Sequence, residues 1–254
     1  MPTLLMEALQ QVNSKHDMTT LVDKISRDPS MAVRILRIVN SPFYGMYREI
    51  GSLREAIVLL GINRVRDILV SICFSKMLPI RHKDFNYSLF LHHSMAVAEC
   101  TRQLASCTNT SPDFAFTAGL LHDIGDLMIV MHFHPDEFSQ EQASTLIETK
   151  RRLLGFDHME IGGRAAQHWN LPTAIQEAIE QHETPPQPGA AKSLALLVYT
   201  ANLLIVKVEQ SNEFALEVHD PICTALARLN VSIDQATHCT DSGRQFADQI
   251  ITLS

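Results

Sequence analysis

The stretch GLLHDIGD, residues 119–126, places His122 beside Asp123 inside an apolar run with the composition of a buried helix. A buried carboxylate is strongly destabilising unless it is paired or bound to a metal ion. An adjacent histidine and aspartate can offer one nitrogen and one oxygen ligand to the same divalent cation. At this point two interpretations stay open: a metal site, and a buried hydrogen-bonded pair that joins two helices.

The composition of the chain indicates a folded globular protein and argues against several other classes. The chain has 254 residues, of which 46% are hydrophobic and 19% charged, as expected for a folded globular protein. Its net charge of -7 and the absence of a basic run argue against nucleic acid or an anionic membrane as the partner. The five cysteines form no C-x-x-C motif, which favours free thiols in a reducing cytoplasm. No signal peptide or membrane-spanning run is visible, so we predict a cytoplasmic protein.

Helix signals occur along most of the chain. Ser52 with Glu55 forms a capping box, and Gly61 is a natural stop for the helix that follows. Further start signals are Ser111-Pro112, Asp157 with Glu160, Leu171-Pro172-Thr173, and Ser232 with Gln235. No segment alternates apolar and polar residues strictly, so strands are not expected. The sequence therefore predicts an all-α fold.

Two changes in composition suggest boundaries. Residues 78–84 are polar and contain a proline, and the chain beyond about residue 208 becomes more polar. We predict an N-terminal helical subdomain over 1–80, a second helical subdomain over 85–205 that holds the histidines, and a helical appendage over 206–254.

An ordered series of motifs resembles the HDOD family, the HD-related output domains of bacterial signalling proteins. The motifs are DPS at 28–30, ILRIVNS at 35–41, FYG at 43–45, IGSLREAI at 50–57, LG at 60–61, LHHSMAVA at 91–98, LHDIG at 121–125, His158 with IG at 161–162, and WNLP at 169–172. The resemblance covers about the first four fifths of the chain, and 1–205 would form the HDOD-like unit. It implies an HD-domain-like multi-helix fold with an N-terminal helical subdomain.

The wider HD superfamily includes metal-dependent phosphohydrolases, and the resemblance implies a ligand set in this sequence. The implied metal ligands are His93, His122, Asp123, His158, His182 and, in the place of the superfamily's last carboxylate, Asn202. Imidazole-rich sites suit iron, zinc, nickel or manganese, and we expect partial occupancy or none because an amide is a weak, neutral ligand. We assign no residues to an organic cofactor.

Each histidine also has a simpler interpretation. His93 and His158 could be hydrogen-bonded core residues, and His182 could interact with the end of a helix dipole.

In the N-terminal subdomain we single out Asn40, Ser41, Phe43 and Tyr44 as candidates for an interface between subdomains or for a partner surface. Asn40 and Ser41 also suit a helix stop with local capping.

At two positions the sequence departs from the metal-dependent members of the HD superfamily, and these departures favour a regulatory function over a catalytic one. Asn202 replaces a charged ligand, and Asp126 stands where metal-dependent relatives usually carry a lysine. If Asp126 faces the site, it would repel a substrate phosphate by roughly 4 kcal/mol at about 4 Å and an effective dielectric near 20. We therefore predict a bacterial signal-transduction module with a degenerate site and protein partners. The alternative is a metal-dependent phosphohydrolase acting on a nucleotide or cyclic dinucleotide, with His122 and Asp123 as candidate catalytic residues.

Overall fold

A computed structural model of the chain describes residues 29–75, 85–108, 110, 112–132, 155–184, 193–211 and 220–253. These ranges are helical and contain no strand, which confirms the all-α prediction. The helices are α1 (Pro29–Val39), α2 (Leu53–Leu60), α3 (Ile62–Ser75), α4 (Tyr87–Cys107), α5 (Pro112–Leu121), α6 (Ile124–His132), α7 (His158–His168), α8 (Thr173–Glu180), α9 (Leu194–Ser211), α10 (Pro221–Leu229) and α11 (Ile233–Leu253), and a 3-10 turn lies at Pro42–Tyr44.

The predicted capping residues begin and end helices as expected. The Ser52 hydroxyl accepts a hydrogen bond from the Glu55 N–H at 3.2 Å, and Gly61 ends α2 with a positive φ of 82°. Ser232 and Gln235 satisfy each other's backbone N–H groups at the start of α11, at 2.9 and 3.2 Å. Such caps satisfy amides that the first helical turn leaves without partners. Ser111, predicted to cap α5, lies outside the described residues.

The chain divides into two compact units. The first comprises the described residues of Met1–Pro79 together with Arg244–Ser254, and the second those of Ile80–Gly243. The boundary signal predicted at 78–84 lies outside the described residues. The three-part division expected from composition stays a prediction.

The first unit is built on helices α1, α2 and α3, which pack against one another. Its core contains Ile35, Ile38, Ile68 and Ile72, all fully buried, and Phe246 from the end of the chain. Burying one such side chain stabilises the fold by about 1.5–3 kcal/mol.

The second unit holds the candidate site. Helix α4 packs against α5 and α9, α7 packs against α6 and α8, and α8 also contacts α5 and α9. Two segments, Phe114–Met131 and Leu194–Ser211, are long and apolar enough to pass for membrane spans by composition alone. However, 67% and 56% of these segments are buried inside the fold, as in core helices.

Gly125 allows two of these helices to approach closely. A Cβ atom at Gly125 in α6 would lie 1.8 Å from the carbonyl oxygen of His158, the first residue of α7. No side chain fits in that space without separating the helices. The glycine after the His-Asp pair is therefore required by packing.

Candidate metal centre

His122 and Asp123 lie in a turn between two helices, whereas the sequence predicted them within one helical run. Helix α5 ends at Leu121 and α6 begins at Ile124. The Nδ1 atom of His122 lies 2.7 Å from the carbonyl oxygen of Gly119 and donates to it, which leaves Nε2 with its lone pair. His122 is fully buried, and the Asp123 side chain keeps 21% exposure. The turn thus directs a nitrogen and a carboxylate toward one point.

Three other helical segments bring their histidines to the same place. His93 lies on α4, His158 begins α7, and His182 lies in the turn that follows α8. The ring centroids are separated by 5.2 Å for His93 and His122, 4.9 Å for His122 and His182, and 5.0 Å for His158 and His182. We call these four histidines and Asp123 the histidine–aspartate cluster.

Asp123 belongs to two sets of donor atoms within the cluster. His93, His122 and Asp123 form one triad, and Asp123, His158 and His182 form the other; in each triad the ligand atoms lie within 4.8 Å of one another. The Oδ2 atom of Asp123 is 3.4 Å from Nε2 of His122. Its Oδ1 atom is 3.1 Å from Nε2 of His182 and 3.7 Å from Nε2 of His158. One carboxylate therefore has an oxygen directed toward each triad.

The orientation of the rings suits metal binding. The Nδ1 atom of His182 donates to the carbonyl oxygen of Ile179 at 2.7 Å, and the Nδ1 atom of His93 lies 2.9 Å from Glu209. The Nδ1 atom of His158 lies 3.7 Å from Asp126. Metal-ligating histidines commonly use their second nitrogen as His182 and His93 do, which fixes the ring and frees Nε2 for the ion, whereas the His158 contact is longer than a hydrogen bond.

The electrostatic environment favours the protonation states that a metal ion requires at His122 and Asp123, and it opposes them at His93. Burial lowers the pKa of His122 to about 3, so its imidazole is neutral at physiological pH. For Asp123, burial raises the pKa, but His122, His182 and His93 outweigh it and hold the pKa well below its usual range. Burial also opposes protonation of His93, yet the hydrogen bond and charge of Glu209 leave its pKa raised. A neutral imidazole and an ionised carboxylate are the forms that bind divalent cations.

Two buried polar atoms support the fit to an ion. Among the residues that the structure describes, Nε2 of His122 and Oδ1 of Asn202 are buried without a hydrogen-bond partner. An atom left in this state is destabilising unless something binds it. The Nε2 atoms of His158 and His182 are 3.1 Å apart, close to the distance of about 3.0–3.4 Å between ligands that each lie about 2.1 Å from one ion. The cluster could therefore hold a metal ion.

The structure also places acidic residues beside the cluster that the sequence did not assign to it. Glu209 contacts His93, and the Oε1 atom of Glu183 lies 3.5 Å from Nε2 of His158. Asn202 lies against His93 from α9, and Glu209 is two helical turns further along that helix. The seven-residue spacing from Asn202 could have pointed to Glu209. Asp126, whose effect on a substrate depends on whether it faces the site, contacts the Nδ1 side of the His158 ring.

The N-terminal candidates lie in the first unit. The Asn40 side chain accepts from the Ile50 N–H at 2.7 Å and donates to the Ile50 carbonyl at 3.0 Å, so it fastens the loop after α1. Asn40 and Ser41 also line a surface cavity of about 530 Å³ beside Arg37 and Gln249. The prediction that they form an interface or a partner surface stays a prediction.

Phe43 and Tyr44 form part of an aromatic cluster around a cation. The Arg64 guanidinium carbon lies 5.7, 5.3 and 4.8 Å from the ring centroids of Phe43, Tyr44 and Phe246. Both N-terminal rings are half-buried. Cation–π contacts of this kind stabilise a partly buried site by about 0.5–2 kcal/mol each. These contacts give the two rings a role within the first unit.

Comparison with known proteins relates the fold and the cluster to one family. Residues 1–185, a span that includes all five members of the cluster, match the HDOD domain. An uncharacterized protein of Treponema pallidum (strain Nichols) is 25% identical over 217 residues, which cover 81% of this chain. The chain spans only 41% of the length of that relative.

Solved structures show the same fold. A protein of Shewanella amazonensis SB2B, named as a candidate phosphohydrolase, has a TM-score of 0.77 at 23% identity, covering 98% of this chain and 94% of its own. An HDOD domain protein of Geobacter sulfurreducens has a TM-score of 0.77 at 22% identity, covering 100% and 92%. A protein of Marinobacter aquaeolei VT8, named as a candidate signal transduction protein, has a TM-score of 0.71 at 20% identity, covering 98% and 59%.

Proposed function

The chain belongs to the HDOD domain family, and on that premise we propose that it is a regulatory module of bacterial signal transduction whose HD-type centre binds a divalent metal ion without efficient phosphoester hydrolysis. The module would act in the cytoplasm through protein partners. Iron, zinc, nickel and manganese are the candidate ions, because the centre combines imidazole with carboxylate ligands.

One observation carries the non-catalytic part of the proposal: within the part of the chain that the structure describes, the charged groups in contact with the cluster are carboxylates. Asp126 and Glu183 contact His158, and Glu209 contacts His93. A phosphohydrolase needs positive charge around the developing phosphoryl oxygens. These carboxylates offset the positive charge of a bound ion, and so they make the centre less attractive to an anionic substrate.

The ion in this proposal has a structural and signalling role. The cluster draws ligands from α4, the turn after α5, α7 and the turn after α8. An ion that binds all of these segments would change how firmly they are held together. Such a change can alter an outer helical surface to which a protein partner binds.

A second candidate function is a metal-dependent phosphohydrolase acting on a nucleotide or cyclic dinucleotide. The shared position of Asp123 favours it, because one carboxylate between two triads is the geometry of a two-metal site. In that case the ions would polarise the phosphoryl group and lower the pKa of a bound water, while His122 and Asp123 would hold them.

The test combines metal analysis with activity assays on the full chain. Protein purified without added metal or chelator should contain a transition metal that is lost in His182→Ala and Asp123→Ala. The same protein, loaded in turn with manganese, iron, nickel and zinc, should not hydrolyse nucleotides, cyclic dinucleotides or aryl phosphates efficiently. Rapid turnover that both variants abolish would establish the second function instead.

A further inference from the structure

Glu183 brings a further carboxylate to the triad of Asp123, His158 and His182. Its Oε1 atom lies 3.5 Å from Nε2 of His158, and that nitrogen is itself 3.1 Å from Nε2 of His182. The Glu183 side chain is 34% exposed, so its carboxylate reaches the cluster from the solvent side. Of the other members of this triad, His158 and His182 are buried and the Asp123 side chain is 21% exposed.

The backbone around Glu183 is held in place by its neighbours. His182 is fully buried and donates from Nδ1 to the Ile179 carbonyl, and the Thr184 N–H donates to the Gln181 carbonyl at 3.1 Å. Because these bonds fix the turn on both sides of Glu183, its carboxylate needs only side-chain rotation to approach an ion at the triad.

Charge gives a reason for a fourth ligand at this position. Asp123 supplies one negative charge to both triads, and Asn202, which lies against His93 in the other triad, supplies none. A divalent cation in a mostly buried site is stabilised by a second anionic ligand. Glu183 is placed to provide that charge to the triad of His158 and His182 and not to the triad of His93 and His122.

We propose that Glu183 is the fourth ligand of an ion held by Asp123, His158 and His182, and that this half of the cluster is therefore the tight metal site of the chain. The inference rests on the proposed metal-binding function. It assigns two nitrogen and two oxygen ligands to the tight site, and it makes the His93 and His122 half the weaker one.

The experiment titrates metal-stripped full-length protein with Co²⁺ and Mn²⁺, using calorimetry for affinity and the visible absorption of Co²⁺ for ligand geometry. We expect one tight ion per chain. Glu183→Gln should weaken it by at least about tenfold, the scale on which lost contacts at a metal site act, and should shift the Co²⁺ absorption bands. Glu183→Asp, which keeps the charge on a shorter side chain, should give an intermediate affinity.

The matched control is Glu180→Gln, which removes an exposed carboxylate from the last turn of α8 and should leave affinity and spectrum unchanged. If Glu183→Gln matches wild type while His182→Ala abolishes tight binding, Glu183 is not a ligand and the metal centre stands. If His182→Ala also retains wild-type affinity, the proposed metal centre itself is wrong. Circular dichroism of each variant verifies that the helices are intact.

Discussion

The Nδ1 atom of His93 lies 2.9 Å from the Oε2 atom of Glu209, a contact that joins α4 to α9 beside the histidine–aspartate cluster. The two residues are 116 positions apart. This carboxylate orients the ring and leaves Nε2 for an ion, so it acts on the centre through a ligand.

Glu209→Gln should therefore weaken metal binding at the weaker site, formed by His93, His122 and Asp123, while leaving the fold intact. We expect a loss of about tenfold or more in affinity, because the neutral amide holds the His93 ring less firmly. The effect on unfolding free energy should stay within about 1 kcal/mol, since the carboxylate is 36% exposed and solvent screens the pair. Calorimetric metal titration and urea unfolding measure the two quantities, with Glu177→Gln on α8 as the control. An unchanged affinity would contradict the positioning role.

Gly125→Ala should destabilise the second unit. The new methyl group would meet the His158 carbonyl at 1.8 Å, so α6 and α7 must separate. Overpacking of this kind costs about 1–3 kcal/mol or more, measured by chemical denaturation, and should also reduce metal binding. Gly51→Ala is the control, because a Cβ atom there meets nothing within 4 Å. Equal stability of the two variants would show that the helices can separate freely.

Asn40→Ala tests whether this residue acts in the fold or at a partner surface. The variant removes both side-chain hydrogen bonds to the Ile50 backbone. We expect a loss of about 1–3 kcal/mol in unfolding free energy, because partly buried backbone groups lose their partners. Thermal and urea unfolding give the answer. A variant of wild-type stability with weakened partner binding would favour the surface role instead.

Asn202→Asp should strengthen the weaker half of the cluster. The new carboxylate would bring a negative charge next to His93, where the amide oxygen of Asn202 is buried without a hydrogen-bond partner among the described residues. Metal titration should then detect a second ion at lower concentration than in wild type. If the stoichiometry and both affinities stay the same, Asn202 does not face the metal.

Hydrolysis of nucleotides, cyclic dinucleotides and aryl phosphates should stay below about 1 per second, the lower end of ordinary enzyme rates. The reason is the acidic surroundings formed by Asp126, Glu183 and Glu209. A substrate panel with each transition metal in turn measures this. Faster turnover that disappears in both His122→Ala and Asp123→Ala would overturn the prediction.

Local features of the fold could be predicted from the sequence because they depend on neighbouring residues. Ser52 with Glu55 and Ser232 with Gln235 cap helices through contacts three residues apart. The break at His122 was missed, because the apolar pattern continues across it. The pairing of His93 with Glu209 was also missed, since only the packing of α4 on α9 brings residues so distant in sequence together.

The candidate site could likewise be predicted only in part from the sequence. The resemblance located the four histidines and Asp123, which the structure brings together. It did not show which way the neighbouring acids point. Whether Asp126 faces a substrate could not be predicted; it contacts the Nδ1 side of His158, and that orientation depends on how α6 packs against α7.

The donor atoms of the cluster come from segments spread between residues 93 and 182. An ion that binds them all would close several long loops at one point, as a cross-link does. Because the unfolded chain has no preformed site and releases the ion, binding stabilises the folded unit by mass action. The concentration of the ion in the cell would then determine how stable the second unit is. Resistance to proteolysis would report the ion's presence even where no reaction occurs.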